Sequence, residues 1–378
     1  MRPASEAEKA RLNETFAELC RIPSPFGDER AIADEVTARL RAMGLEVSED
    51  DAAGPAEAGA GNLLARIRGR SERSVLLCAH LDTVGFGGMT EPTTPRIQGD
   101  RLNGRGAYDM KAGLAAALAA CRELADTGLA GDVVVAAVAD EEHESLGVQE
   151  ALRAVRADGA VVTEPTELEL VVAHKGFVWS EIEITGRAAH GSRPHLGTDA
   201  IVKAGPILSA VGALDTGLAE RVHPRLGRGS IHAGRIAGGG ELSSYPGRCV
   251  VALERRTLPG ETGATGEAEL AALLDGCRAD DPALVAAQRT LLERSPFEQD
   301  EQAAIVRAVG AAAAEVLGAP PPLAGASYWA DAALIAAAGI PTVMLGPGGA
   351  GAHATEEWVS LPDTVAVART LIAAGERF

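Results

Sequence analysis

No run in this sequence is long and apolar enough to suggest a membrane span, and the start, MRPASEAEKARLNETF, lacks the apolar core of a signal peptide. Basic charge is in deficit: 35 Lys and Arg stand against 53 Asp and Glu, a net charge of −18. That balance argues against nucleic acid or an anionic membrane as a partner. Cysteine is scarce too. Cys20, Cys78, Cys121, Cys249 and Cys277 are odd in number, scattered and without a C-x-x-C. They exclude a disulfide framework and a zinc ribbon, and read as reduced, mostly buried thiols of a cytoplasmic protein. Internal repeats are absent, and 51–61 is a Gly/Ala-rich loop of low information. What is present, 46 % apolar and 23 % charged residues, is an ordinary globular composition. At 378 residues the chain exceeds what one core usually organises, so two domains are expected.

The first half alternates helix and strand patterns. Helical periodicity covers 6–20, 29–43, 110–127 and 145–156, and short apolar runs mark strands at 62–67, 75–81, 133–139 and 159–163. That order predicts an α/β domain with a mostly parallel central sheet flanked by helices. A different texture begins at Phe177, where FVWSEIEITG alternates apolar and polar residues as a half-exposed strand does. Similar strands at 229–236 and 248–256, with helices at 198–214 and 267–277, suffice for a small α+β domain. The α/β texture returns with a helix at 302–317 and an apolar run at 340–346. The expected division is therefore 1–176 and 292–378 for the large domain, with 177–291 inserted.

Polar residues collect just after the apolar runs of the large domain. VLLCAHLD delivers His80 and Asp82, GRGAYDMKAG delivers Asp109, and VVVAAVADEE delivers Glu141 and Glu142. AVVTEP delivers Glu164, and the glycine-rich GPGGAGAHA delivers His353. Singly, each has an ordinary explanation: a strand-end histidine, a helix cap, an acidic turn. Together they form one set, because ligands bind at the carboxyl ends of parallel strands. Two divalent ions are commonly bridged by one carboxylate, each ion taking a His and a further carboxylate. Asp109 is the natural bridge, with His80 and Glu164 completing one ion and Glu142 and His353 the other. Asp82 is placed to receive the His80 N–H and fix its tautomer. Glu141 is then left beside the attacking water, where a hydrolase needs its general base.

These motifs, HLDTV, GRGAYDMKAG, DEEHESLG, TEPT and GAGAHA, resemble the dinuclear-zinc metallopeptidase family of acetylornithine deacetylase, succinyl-diaminopimelate desuccinylase, glutamate carboxypeptidase and aminoacylase. The resemblance runs over essentially the whole chain. It implies a zinc-peptidase-like catalytic domain holding two Zn2+ (replaceable by Co2+ or Mn2+), an inserted α+β lid, and a homodimer formed through that lid. It places the family's lid histidine, an oxyanion donor, on His190 in GRAAHGSRP. The substrate-carboxylate arginine falls on Arg256 in ERRTLPGE, with Lys175 as a second candidate, and the Asp109–Met110 peptide is expected to be cis. Ser243 and Ser244 stand where several relatives carry an asparagine, so the specificity of any one relative does not transfer. Glu164, where aminopeptidases of the family have Asp, leans toward deacylase or carboxypeptidase activity. The expected function is removal of an N-acyl group from an amino acid. A carboxypeptidase or dipeptidase acting on a short peptide with a free carboxylate is the alternative, and a noncatalytic binding protein retaining the fold is the more distant one.

Overall fold

A computed structural model describes residues 4–49 and 61–378 of the chain; the Gly/Ala-rich stretch at 51–60 lies outside the described residues. The chain divides into two compact units. One comprises Met1–Val172, Gln299–Ala324 and Ala330–Phe378, the other Ala173–Glu298 and Gly325–Trp329.

In the first unit, strands Ser74–His80 and Asp132–Val138 are buried at every position, as strands covered on both faces must be. They lie parallel, Gly159–Val162 and Thr342–Met344 extend the parallel core, and antiparallel strands flank it. Alternate residues Val75, Leu77, Ala79, Val133, Val135 and Ala137 enter the core that also holds Leu114 and Leu371. Leu114 lies on helix Ala112–Ala125, Leu371 on Leu361–Arg377. The first of these helices is rich in alanine, which lets it approach the strands closely. Leu114 is fully buried, so truncating it to Ala costs about 2–5 kcal/mol. Helices Leu146–Ala154 and Ala332–Ala337 pack against strands Asp132–Val138 and Thr342–Met344. All five cysteines are buried and free.

The helix expected from Met110 starts at Ala112, because 107–111 form a wider turn in which Asp109 and Met110 have non-helical angles.

The second unit is a four-stranded antiparallel sheet in the order Ser230–Gly238, Arg248–Thr257, Gly176–Thr185, Val285–Arg294. Helices Ala200–Leu218 and Gly263–Asp280 cover one face, closing a core of Ile182, Ile184, Val251, Ala204, Ile207 and Leu274. The strand Val285–Arg294 has no counterpart in the sequence reading. Helix Ala200–Leu218 also departs from it: by length and composition this helix is apolar enough to cross a membrane. Here it lies along the sheet, with Ala204, Ile207 and Val211 buried while Val202 remains 70 % exposed.

Candidate metal centre

The parallel register sets the site. His80 pairs with Val138, Cys78 with Val162, and Val162 with Met344. The residues that follow each strand therefore leave the sheet at one level. A Cβ on Gly346 would lie 2.0 Å from the Glu164 carbonyl oxygen, so only glycine lets that strand end approach the Glu164 segment so closely. The same rim receives Asp109, at the mouth of helix Ala112–Ala125, and His353.

Asp109 offers one oxygen to each side. Its Oδ1 is 3.1 Å from His80 Nε2, and its Oδ2 is 3.4 Å from His353 Nε2. His80 Nε2 also faces Glu164 Oε1 at 3.6 Å, and His353 Nε2 faces Glu142 Oε2 at 3.0 Å. Donor atoms of His80, Asp109 and Glu142 lie within 4.8 Å of one another, as do those of His80, Glu141 and Glu164. The Asp109–Met110 peptide is cis.

Asp82 differs from expectation. The His80 ring meets the Asp82 backbone carbonyl, with Nδ1 2.9 Å from that oxygen, while the carboxylate stands at 3.5 Å. A carbonyl can only accept, so Nδ1 carries a hydrogen, and Nε2 is the ring atom that faces Asp109 and Glu164 and would bind an ion once it has shed its own proton. In the neutral ring this contact selects the Nδ1–H tautomer through a backbone oxygen. The carboxylate instead accepts the N–H groups of Glu141 (3.2 Å) and Glu142 (2.9 Å). Adjacent glutamates are thus held by their backbones on one buried acid. Left-handed backbone at Asp140 (φ 67) and Ser145 (φ 53) brackets them, and His353 (φ 62) shares that conformation. Non-glycine residues adopt it at a cost of about 1–3 kcal/mol, characteristically at functional sites.

The electrostatics describe a hole for positive charge. Burial pushes the Glu141 and Glu164 carboxyls well above the usual carboxylate range, with neighbouring acids adding to the effect and His80 opposing it. Burial raises Glu142 as well. Burial works against charge on His80, yet Asp109 and Asp82 outweigh it and hold the imidazole's pKa well above its ordinary value. His353 is pushed up to about 10 by Asp109 and Glu142. Asp109 is half-buried, and against the desolvation that would raise it the two imidazoles keep its carboxyl below the usual range. Glu142 Oε1 is buried with no hydrogen-bond partner among the described residues. Two His, four carboxylates and an orphaned oxygen are a donor set that divalent ions fit.

The sequence pattern does not single out three further groups. Glu357 and Arg105 are buried and paired at 2.8 Å. Glu167 accepts the Tyr108 hydroxyl at 2.6 Å and the Gly349 N–H at 3.2 Å, tying the residue before Asp109 to the His353 loop. Its position after the TEPT motif gave no signal, because its partners are far away in sequence.

The other candidates belong to the second unit. His190 is exposed, on a two-residue strand paired with Ser244–Tyr245. Its Nδ1 accepts the Ser192 N–H at 3.2 Å, which leaves Nε2–H as the free donor in the neutral ring. Arg256 stands 2.6 Å from Glu254 and stacks over Phe177 at 5.2 Å. Lys175 Nζ donates to the Arg228 carbonyl at 2.7 Å. Burial, then the Arg256 and Arg228 charges, lower its pKa.

Comparison with known proteins supplies a family and a fold. The model of peptidase family M20/M25/M40 matches residues 76–377. An acetylornithine deacetylase of Pectobacterium carotovorum is 35 % identical over 53 % of this chain and 54 % of its own, so the match spans about half that relative. The acetylornithine deacetylase of Myxococcus xanthus is 29 % identical over 97 % of both chains. Among solved structures, the YXEP protein of Bacillus subtilis, a dinuclear metal-binding peptidase, superposes with a TM-score of 0.77 at 17 % identity. It covers 99 % of each chain, and the likeness is one of fold.

Proposed function

We propose, for a chain that belongs to peptidase family M20/M25/M40, a dizinc amidohydrolase that removes an N-acyl group from an amino acid. The observation that carries this reading is the split carboxylate of Asp109, one oxygen toward His80 and the other toward His353. In the proposed assignment His80, Asp109 and Glu164 would hold one ion, Asp109, Glu142 and His353 the other. Bound there, divalent ions supply an acidified water and a polarised substrate carbonyl. The remaining chemistry is the chain's own. Glu141 takes a proton from the attacking water and returns it to the leaving amine. Asp82 holds Glu141 in place through its backbone N–H. His190 donates its Nε2–H to the developing oxyanion. Arg256, with Lys175, binds the free carboxylate of the substrate.

The same residues suit a carboxypeptidase or dipeptidase. A panel of N-acetyl, N-succinyl and N-formyl amino acids beside dipeptides, assayed with zinc or cobalt, decides between them. Turnover of none of these would overturn the hydrolase reading. A homodimer through the second unit is supported by its sheet edge. Among the described residues strand Ser230–Gly238 pairs on one side alone, Ile236 on it is 49 % exposed, and the exposed Val202 lies on the helix packed beside it. Such an edge is a template for pairing with a second copy. The buried, free cysteines support a cytoplasmic location.

His190→Ala is expected to lower kcat about 10^2- to 10^3-fold with zinc content unchanged. Where Glu141 and His190 mutants are co-expressed, a hybrid dimer recovers one working site if His190 acts across the subunits, and none if it acts in its own chain. Near-normal turnover of the single mutant would remove His190 from the mechanism.

Metal loading should also be linked to pH. Without metal, His353 holds a proton up to about pH 10, and Glu142 and Glu164 keep theirs above the usual carboxylate range. Ligands must shed these protons to bind, so zinc binding releases protons and tightens as pH rises below that limit. Calorimetric titration in two buffers of different ionisation enthalpy reads the release; equal heats in both would contradict it.

A further inference from the structure

We propose that Glu357 is a positioning residue: it sets where Asp109 stands relative to His353, and so determines whether two ions can be held together. The inference rests on the dinuclear reading above.

Asp109 sits on backbone with little regular structure of its own. Gly104 (φ 158) and Gly106 (φ 72) turn the chain after strand Arg101–Asn103, and Asp109 itself lies at φ −119, ψ 101. A side chain on such a segment keeps its place only if the segment's N–H groups are tied. The tie is one carboxylate about 250 residues away. Glu357 Oε1 accepts the N–H of Tyr108 at 2.9 Å and of Asp109 at 3.2 Å. Its Oε2 accepts the N–H of Gly106 at 3.0 Å and Arg105 Nη1 at 2.8 Å. The intervening Ala107 N–H goes to the Gly104 carbonyl at 3.1 Å. Near-successive N–H groups in such a turn make an anion-binding concavity, and here a side chain fills it.

Glu357 is 3 % exposed. Burying a carboxylate is costly unless it is fully hydrogen-bonded, and these four donors satisfy it. The second observation is its place in the chain, four residues after His353. Gly104 N–H donates to the Glu357 backbone carbonyl at 3.1 Å, and Arg105 Nη2 donates to the Ala354 carbonyl at 2.9 Å. One short segment thus carries an imidazole facing Asp109 Oδ2 and the carboxylate that anchors Asp109. The distance between the two groups is fixed through Glu357, and displacement of either disturbs both.

The test is E357Q, whose amide keeps the shape but turns an NH2 toward Arg105 or the N–H groups. Metal-free wild-type and variant chains are titrated with Co2+ against a competing chelator, and the cobalt d–d bands are recorded. Wild type is expected to bind two ions. E357Q, with an unchanged circular dichroism spectrum, is expected to bind the second ion about 10- to 100-fold more weakly, with altered d–d intensity. Two ions bound by E357Q with wild-type affinity and spectrum would overturn the positioning role. Failure of the wild type to bind two would instead overturn the dinuclear reading. If E357Q does not fold, R105K, which keeps the charge and removes the fork, carries the same test in the same direction. Loss of folding in both would make Glu357 a scaffold group and overturn the proposal.

Discussion

Glu141→Gln is expected to retain both metal ions and to lower kcat about 10^2- to 10^4-fold. The substitution keeps the backbone N–H that Asp82 holds and nearly keeps the side-chain volume. What it removes is the ability to take a proton from water and hand it to the leaving amine. The variant also separates two roles that distance alone leaves competing, because a Glu141 oxygen lies within 4.8 Å of donor atoms of His80 and Glu164. A ligand role would show as lost zinc, since an amide oxygen binds a divalent ion far less well than a carboxylate. A base role leaves the zinc in place and removes the turnover. Metal analysis beside a steady-state assay distinguishes them, and wild-type kcat in E141Q would exclude Glu141 from the chemistry.

Asp109→Ala is expected to lose both the metals and the activity. Asp109 is the carboxylate that faces both imidazoles. Removing it leaves His80 with Glu164, and His353 with Glu142, as two incomplete half-sites whose ions would repel each other unshielded. Zinc content should fall from two per chain to less than one, with turnover at least as low as in E141Q. An Asp109→Ala protein that keeps two ions would show that the bridge lies elsewhere.

Much of this centre was legible in the sequence because its carriers are apolar runs. A parallel strand buried on both faces cannot hide its end, so His80 and Glu164, and the Glu141–Glu142 pair, stand out at the first polar position or soon after. Asp82 was found by its spacing from His80, but spacing cannot say which oxygen meets the ring; the backbone turn decided that. Glu357 left no signal, since three of its four partners are backbone N–H groups, which every residue type but proline carries. The strand Val285–Arg294 was hidden for another reason. Its faces alternate, but its residues, VAAQRTLLER, do not follow them: Val285 and Leu291 lie on the exposed face. Helix Gly263–Asp280 was read three residues short at its end and four short at its start, where the first turn, GATG, holds two glycines and the Thr262 cap box satisfies it. Helix Ala200–Leu218 is apolar well beyond its buried face, a composition that calls for a covering partner.

The central claim, a hydrolase working through two ions in one carboxylate-rich cleft, is tested most directly by counting zinc against turnover. The chain is stripped with a chelator and reloaded with increasing zinc. Bound metal and hydrolysis of the N-acyl amino acid most active in the panel are then measured on the same samples. Activity is predicted to rise with bound zinc and to level off at two ions per chain. At most trace binding with zinc supplied, or turnover that persists in the stripped chain, would contradict the account.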